Sequence, residues 1–212
     1  MEKALAMWLL LAAQPAAPAT PTQVVQTAVE HAVLAVQEYD LEKPGAPTRH
    51  RGQIQRIAAQ VIDFPGMARR TLGAHWQDRT AQERDEFVRL FKSFFERAYA
   101  GRLEKYSGER IVYVSETVDR DSSTVRSKII TSGGTEIPLD YRLRLFGSRW
   151  TVVDIAISGV SLVSNYRGQF NRVIQTSSYE TLLSDLRLKR GDSAATARPL
   201  VRPVEASVSL AR

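Results

Sequence analysis

The feature that most constrains the fold of this chain is a run of four segments with strand character, joined by short connections. The segments cover residues 110–118, 123–131, 136–146 and 149–157. In the third segment, EIPLDYRLRLF, apolar side chains occupy every second position from Ile137 to Leu145, and charged side chains such as Asp140 and Arg142 lie between them. Alternation with a period of two is typical of a strand with one buried face. The short connections predict an antiparallel meander.

The flanking segments have helical periodicity and are the only material that can cover the buried face of this sheet. Two helix starts carry a capping box, in which Thr is followed three residues later by Gln or Glu: TPTQ at Thr20 and TAQE at Thr80. The first box precedes a helix with apolar residues from Val25 to Tyr39. The second precedes the longest helix, which is predicted to end near Tyr106.

Four further helices are predicted from the same pattern. One carries Ile54 and Ile62 on its apolar face, is interrupted at Pro65-Gly66, and is followed by a short helix that reaches Trp76. Two more close the domain, at 160–175 and 178–189. The order of helices, meander and helices predicts an α+β fold.

The two ends of the chain are interpreted as lying outside this domain. The apolar run ALAMWLLLAA (4–13) is too short to span a bilayer but suits a secretory signal, and Ala17-Pro18-Ala19 matches a small-x-small cleavage site. We interpret residues 1–19 as a signal peptide, 20–190 as the folded domain and 191–212 as a mobile tail. A disordered N-terminal arm is the alternative for the first segment.

The charge of the chain predicts anionic partners. Lys and Arg outnumber Asp and Glu by 29 to 23, which gives a formal net charge of +6. The basic residues are scattered and do not alternate with exposed aromatic residues, so nucleic-acid binding is not predicted. Acidic proteins and anionic lipid headgroups are therefore the predicted classes of partner. The candidate docking residues are Arg69, Arg70, Arg84, Arg97 and Arg167.

Catalytic and metal-binding motifs are scarce. The absence of cysteine excludes disulfides, thiolate zinc ligands and a cysteine nucleophile. The three histidines, His31, His50 and His75, have no metal-ligand spacing, and the chain contains neither a glycine-rich phosphate loop nor a G-x-S-x-G motif. No catalytic residue, metal site or cofactor is predicted.

Asp154 is the polar residue that stands out in the fourth strand, between Val153 and Ile155. A carboxylate that faces an apolar pocket can serve as a general base. The interpretation that we favour is an ion pair with Arg142 or Arg144 on the outer face of the sheet.

The segment DIAISGVSLVSNYRGQF (154–170) contains an unusual helix start. The stretch VSLVSN (160–165) mixes apolar and hydroxylated side chains, and no charge follows before Arg167. Such a start is atypical of a helix exposed to water.

Four stretches occur in an order and spacing that resemble those of a known family. They are FPGMARRTLGAHW (64–76), TAQERDEFVRLFKSFFERAYAGRLEKY (80–106), RLFGSRWTVVDIAISGVSLVSNYRGQFNRVI (144–174) and SSYETLLSDLRLK (177–189). Together they resemble the MlaC-like, toluene-tolerance family of secreted lipid-binding proteins, from about residue 24 to residue 189. The most specific element is W-x-V-x-D combined with G-V-S-L-V-x-N-Y-R-x-x-F.

The resemblance implies an NTF2-like fold, in which N- and C-terminal helices cover a four-stranded antiparallel sheet and enclose a deep apolar cavity. Members of the family are not enzymes. They carry phospholipid across the periplasm between an outer-membrane lipoprotein complex and the lipid-binding subunit of an inner-membrane ABC transporter, which maintains outer-membrane lipid asymmetry. Some relatives lie in hopanoid gene neighbourhoods, so a hopanoid-type lipid stays open.

Under this interpretation the cavity would be lined by one sheet face and the helices over it. The predicted lining residues are Phe94, Tyr99, Leu103, Tyr141, Leu143, Val153, Ile155, Ile157, Val160, Ser161 and Leu162. Ordinary core packing is the alternative for each of them. The helix start at Val160 would lie at the cavity mouth, where free backbone N–H groups suit a phosphate.

Two other functional interpretations stay open. One is an NTF2-like isomerase or hydratase that uses Asp154 with Tyr113 or Tyr141. The other is a secreted adaptor with a solid core, which would bind no lipid.

Overall fold

The structure is a computed structural model that describes residues 18–37, 46–103 and 108–188, without the side chains of 46–51 and 100–103. The predicted signal peptide up to residue 17, the predicted end of the first helix and the predicted tail lie outside the described residues. The elements in chain order are α1 (Pro21–Gln37), α2 (Ala46–Val61), α3 (Phe64–Leu72), a 3₁₀ turn (Gly73–Trp76), α4 (Ala81–Leu103), β1 (Arg110–Asp119), β2 (Ser122–Ile130), β3 (Glu136–Phe146), β4 (Arg149–Ile157), β5 (Val160–Ser161), α5 (Leu162–Thr176) and α6 (Tyr179–Leu188).

The predicted α+β fold is confirmed, with a sheet of five strands instead of four. The strands are antiparallel and lie in the order β1-β2-β3-β4-β5. The additional strand β5 pairs with the end of β4 through Ile157 and Val160. The two residues between them, Ser158 and Gly159, both have positive φ, as a tight two-residue hairpin turn requires. Because β5 has only two residues, its sequence carries no alternation from which a strand could be predicted.

Both predicted capping boxes are present. The backbone N–H of Gln23 donates to Thr20 Oγ1 at 3.2 Å, and that of Glu83 donates to Thr80 Oγ1 at 3.3 Å. The predicted helix interruption is present, but it lies at Ile62 and Asp63, three residues before Pro65-Gly66. α3 begins at Phe64 and contains Pro65 in its first turn, where the missing N–H costs no helical hydrogen bond.

Helices cover one face of the sheet, which we call the covered face. Val25 of α1 packs there with Val125, Tyr141, Leu143 and Val152. The opposite face, which we call the open face, carries charged side chains such as Arg142 and Arg144, and both guanidinium groups are more than half exposed. The strand alternation predicted for β3 is therefore confirmed.

A second cluster joins α3, α4, α5 and α6 through aromatic rings. Phe87 and Phe91 each meet Phe170 nearly edge to face, with ring centroids 5.9 and 6.3 Å apart. This is a favoured aromatic geometry. The Phe-rich stripe of α4 therefore forms the core of the helical layer. Among the described residues, no helix combines the length and apolarity needed to cross a membrane.

Candidate functional site

Side chains on the covered face form rows across the strands, and these rows become less buried from one end of the face to the other. At one end, Leu143 and Val152 pair across β3 and β4 and are 2% and 3% exposed. At the other end, Ile111, Ile129 and Ile137 pair across β1, β2 and β3. These three residues, which we call the isoleucine row, are only half-buried. Water therefore reaches the covered face at the isoleucine row.

Neighbouring apolar residues are incompletely buried in the same way. Leu139 and Ile155 are half-buried and contact the aromatic cluster. Tyr99 of α4 is also half-buried, and its hydroxyl lies 2.9 Å from the hydroxyl of Tyr166. The helical layer thus covers this part of the sheet only incompletely.

Two polar groups of the covered face, the hydroxyls of Tyr113 and Ser123, have no hydrogen-bond partner among the described residues. The hydroxyl of Tyr113 is buried, and its row contains Ser127, whose hydroxyl already donates to Leu139 O at 2.5 Å. Burial, with a smaller contribution from the charge of Glu30, raises the pKa of Tyr113 to about 12. The phenol is therefore neutral at physiological pH and can donate or accept one hydrogen bond.

The predicted lining residues divide into groups when placed in the structure. Tyr141, Leu143, Ile155 and Ile157 lie on the covered face, as predicted from their strand positions. Phe94 and Leu162 are each 1% exposed within the aromatic cluster, and Tyr99 lies at its edge. The side chain of Leu103 lies outside the described residues.

Val153 does not lie on the covered face, because β4 contains a bulge. Arg142 pairs with Asp154 and Leu143 pairs with Val152, so Val153 is the extra residue between the two pairs. Strict alternation would have placed Val153 with Ile155. Because of the bulge, Val152 lies on the covered face in place of Val153.

Val160 and Ser161 also differ from their predicted places. Val160 is 45% exposed on β5 at the sheet edge. Ser161 is the N-cap of α5 and accepts from the backbone N–H of Ser164 at 3.1 Å. The hydroxylated helix start is thus explained by capping.

The predicted lining residues did not include the isoleucine row, Leu139 or Val152. For Ile137 and Leu139 the signal was present, since both belong to the alternation that selected Tyr141 and Leu143. Val152 carried no such signal, because only the bulge brings it to this face.

Asp154 is the centre of a hydrogen-bond network. Its carboxylate is 6% exposed and accepts from Arg142 Nη1 at 3.1 Å, Ser161 Oγ at 2.6 Å, and the backbone N–H groups of Ile155 and Val163 at 2.9 and 3.1 Å. The favoured interpretation, a pair with Arg142 on the outer face, is confirmed.

This network corrects the expected phosphate position at the start of α5. The N–H of Val163 already donates to Asp154, and that of Ser164 donates to Ser161. The protein's own carboxylate therefore occupies the place where an anion would benefit from the helix dipole.

Replacing Ser161 with alanine should lower the free energy of unfolding by about 1 kcal/mol, because both the N-cap bond and the bond to Asp154 are lost. Chemical denaturation measures this change. Ser164→Ala is the matched control, since Ser164 is exposed and takes part in the cap only through its backbone. Equal losses in the two variants would contradict the assignment of Ser161 as the N-cap.

The open face contains a groove of about 780 Å³ between the strands and the segment from α3 to the 3₁₀ turn, with α5 beside them. Its lining includes three of the predicted docking residues, Arg69, Arg70 and Arg167, together with Arg142 and Arg144. We call it the basic groove.

The other two predicted docking residues lie elsewhere and are held by the fold. Arg84 donates to the backbone oxygens of Trp76 and Gln77, and its guanidinium lies 5.4 Å from the centroid of the Trp76 ring. Arg97 donates to Leu186 O at 2.8 Å. Arg84 therefore joins α4 to the 3₁₀ turn and the residue after it, and Arg97 joins α4 to α6. No group of three metal-ligating side chains was found among the described residues.

Comparisons with known proteins agree with this architecture. A family model described as MlaC protein matches residues 26–188. The chain is 24% identical over 172 residues to the toluene tolerance protein ttg2D of Pseudomonas putida, covering 79% of this chain and 80% of that protein. It is 22% identical over 175 residues to the intermembrane phospholipid transport system binding protein MlaC of Haemophilus influenzae, covering 80% and 82%.

A solved structure is similar over most of the domain. It is a phospholipid-binding protein from Ralstonia solanacearum in complex with a phospholipid, with a TM-score of 0.73 and 25% identity. The similarity covers 81% of this chain and 97% of that one. Because the family model spans far more than half of the sequence, the chain is a member of the MlaC family.

Proposed function

We propose that this protein is a periplasmic phospholipid carrier that holds the acyl chains of its lipid between the covered face and the helical layer. The single observation that carries the proposal is the similarity to the Ralstonia solanacearum protein in complex with a phospholipid, which extends over 81% of this chain.

The physical requirement for a carrier is a dry compartment. Transfer of an acyl chain from a bilayer to water costs about 0.8 kcal/mol per methylene, so two chains together cost on the order of 20 kcal/mol. A protein can offset this cost only by surrounding the chains with apolar side chains.

The residues best suited to that role are the apolar ones that the fold leaves half-buried. They are Tyr99, Ile111, Ile129, Ile137, Leu139 and Ile155. Fully buried residues such as Leu143 and Phe94 already have protein neighbours on all sides. The half-buried residues lose exposed apolar area when a chain lies against them, which stabilises the complex. The unpartnered hydroxyl of Tyr113 lies in the same region and can bond a lipid ester oxygen.

The carrier exchanges lipid with membrane-bound partners. These are an outer-membrane lipoprotein complex and the lipid-binding subunit of an inner-membrane ABC transporter, and the exchange maintains outer-membrane lipid asymmetry. The relative from Haemophilus influenzae is named as the binding protein of an intermembrane phospholipid transport system, which supports this role.

The arrangement of Asp154 argues against the isomerase or hydratase interpretation. Its carboxylate holds Arg142 and the start of α5, and it lies on the face opposite to Tyr113 and Tyr141. A general base must reach the proton that it removes within about 3 Å. Asp154 cannot share a pocket with either tyrosine.

Lipid extraction tests the proposed function. The purified protein is extracted with organic solvent, and the extract is analysed by mass spectrometry alongside protein that was delipidated, refolded and incubated with phospholipid vesicles. We expect about one phospholipid per protein in the native sample and recovery of lipid after incubation. Protein that contains no lipid and takes up none would contradict the proposal and favour the adaptor with a solid core.

A further inference from the structure

The basic groove has a strongly unbalanced charge. Five arginines, Arg69, Arg70, Arg142, Arg144 and Arg167, line it together with only two acidic residues, Asp119 and Asp154. The remaining lining residues are neutral in charge, and they include Trp76, Thr124 and Ser164. Low-dielectric walls around charges of one sign concentrate the field, so such a groove attracts anions more strongly than a flat surface of equal charge.

The five arginines differ in the contacts that they make with the rest of the protein. Arg142 pairs with Asp154, and Arg144 pairs with Asp121, each at 3.1 Å. The guanidinium of Arg70 donates to Val153 O at the bulge, and burial lowers its pKa.

Arg69 and Arg167 make no ion pair with any residue that the structure describes, and both are exposed. Arg167 Nε approaches Gly73 closely, so that a Cβ at that glycine would lie 3.3 Å from it. The Arg167 side chain thus lies beside the 3₁₀ turn and has no ion-pair partner in the part of the chain that the structure describes. These two arginines can pair with an external carboxylate without breaking an ion pair to any described residue.

The position of the groove separates it from the proposed lipid compartment. Most of its lining lies on the open face, Leu143 and Ser123 of the covered face contribute as well, and none of the isoleucine row lines it. The edge strand β1 contributes Thr117 and Asp119 to the rim, so the groove meets an unpaired strand edge.

We infer that the basic groove binds an acidic segment of a partner protein. This inference rests on the proposed function, since a carrier must dock on the protein complexes with which it exchanges lipid, and it names the docking site and the chemistry of the docked segment. Carboxylates of the segment pair with Arg69 and Arg167, and its backbone meets the hydroxyl groups of the strands and the free edge of β1.

The shape of the site favours a protein segment over a membrane surface. A flat bilayer would contact the highest points of the protein, whereas the charges here line a recess that contains a buried carboxylate, Asp154. An extended chain with side chains of alternating direction can enter such a recess. Docking through exposed charges also accelerates association and allows rapid release.

The double variant Arg69→Gln/Arg167→Gln tests the inference. Binding of a dye-labelled oligoglutamate peptide is measured by fluorescence anisotropy, and binding to vesicles of phosphatidylglycerol and phosphatidylcholine is measured by co-sedimentation. The matched control is Arg89→Gln/Arg172→Gln, which removes the same charge from exposed helix positions outside the groove. Bound lipid is quantified in every sample.

We expect the groove variant to bind the peptide roughly fivefold to tenfold more weakly than the wild type, the control pair to change affinity less than twofold, and both to keep their lipid. Added salt should reduce the difference between them. Equal weakening in the two pairs would overturn the inference, because net charge alone would explain it. Groove-dependent binding to vesicles without peptide binding would also overturn it, in favour of a membrane surface. Absence of lipid in the wild type would contradict the proposed function and leave the peptide comparison interpretable by itself.

Discussion

Replacement of Ile137 with glutamate is expected to reduce the phospholipid that co-purifies with the protein by at least about tenfold. Ile137 belongs to the isoleucine row and is only half-buried, so the new carboxylate can reach water in the lipid-free protein. An acyl chain laid against the same position would remove that water. Desolvation of the carboxylate therefore destabilises the lipid complex by several kcal/mol and hardly affects the stability of the lipid-free protein.

The control for this variant is Val114→Glu, the same type of substitution at a residue on β1 that is 61% exposed. It should retain wild-type lipid content. Ile129→Trp serves as a second variant, since it fills the space beside the isoleucine row without introducing charge, and it should also lower the lipid content. Thermal unfolding followed by circular dichroism reports whether each variant is folded. A folded Ile137→Glu protein with full lipid content would remove the isoleucine row from the binding site.

Asp154→Ala is expected to lower the free energy of unfolding by about 2–4 kcal/mol. The carboxylate is 6% exposed and satisfies four donors, two of which are backbone N–H groups that no water would readily reach. Removal of one member of a buried network leaves its partners unsatisfied. The estimate lies below that for a fully buried ion pair because the Arg142 side chain is 54% exposed.

Asp121→Ala is the matched control, because Asp121 also pairs with an arginine of β3 at 3.1 Å. Both side chains of that pair are more than half exposed, so its loss should cost less than about 1 kcal/mol. Urea denaturation of the two variants measures the difference. Equal losses would show that Asp154 contributes no more than a surface ion pair and would contradict its role in joining the bulge of β4 to the start of α5.

The sheet separates two tasks. On the covered face, burial decreases from Leu143 and Val152 towards the isoleucine row. A lipid chain can therefore contact the isoleucine row without displacing residues of the core. On the open face, Arg142 pairs with Asp154, whereas Arg69 and Arg167 have no ion-pair partner among the described residues. The carried lipid and the docked partner can therefore be bound at the same time in the functions that we propose.

Several predictions from the sequence failed for reasons that concern single residues. Val153 was assigned to the covered face by alternation, and one extra residue in β4 moved it to the basic groove. Val160 was predicted within a helix start; the turn at Ser158-Gly159 places it on an exposed edge strand, and its place at a cavity mouth stays a prediction. Neither a bulge nor a two-residue strand changes the local pattern of apolar and polar residues, since both depend on how the neighbouring strand pairs.

The sequence by itself determined the two capped helix starts at Thr20 and Thr80, the four long strands and the choice of covered face. These follow from capping residues and from periodicity, which depend only on the sequence of each segment. Only the tertiary structure decided that the isoleucine row is less buried than Leu143, that Asp154 closes the start of α5, and that arginines from α3, β3 and α5 line one groove. The physical reason is that burial, charge pairing and cavity shape depend on contacts between residues that are distant in the chain. These contacts form only when the layers pack together.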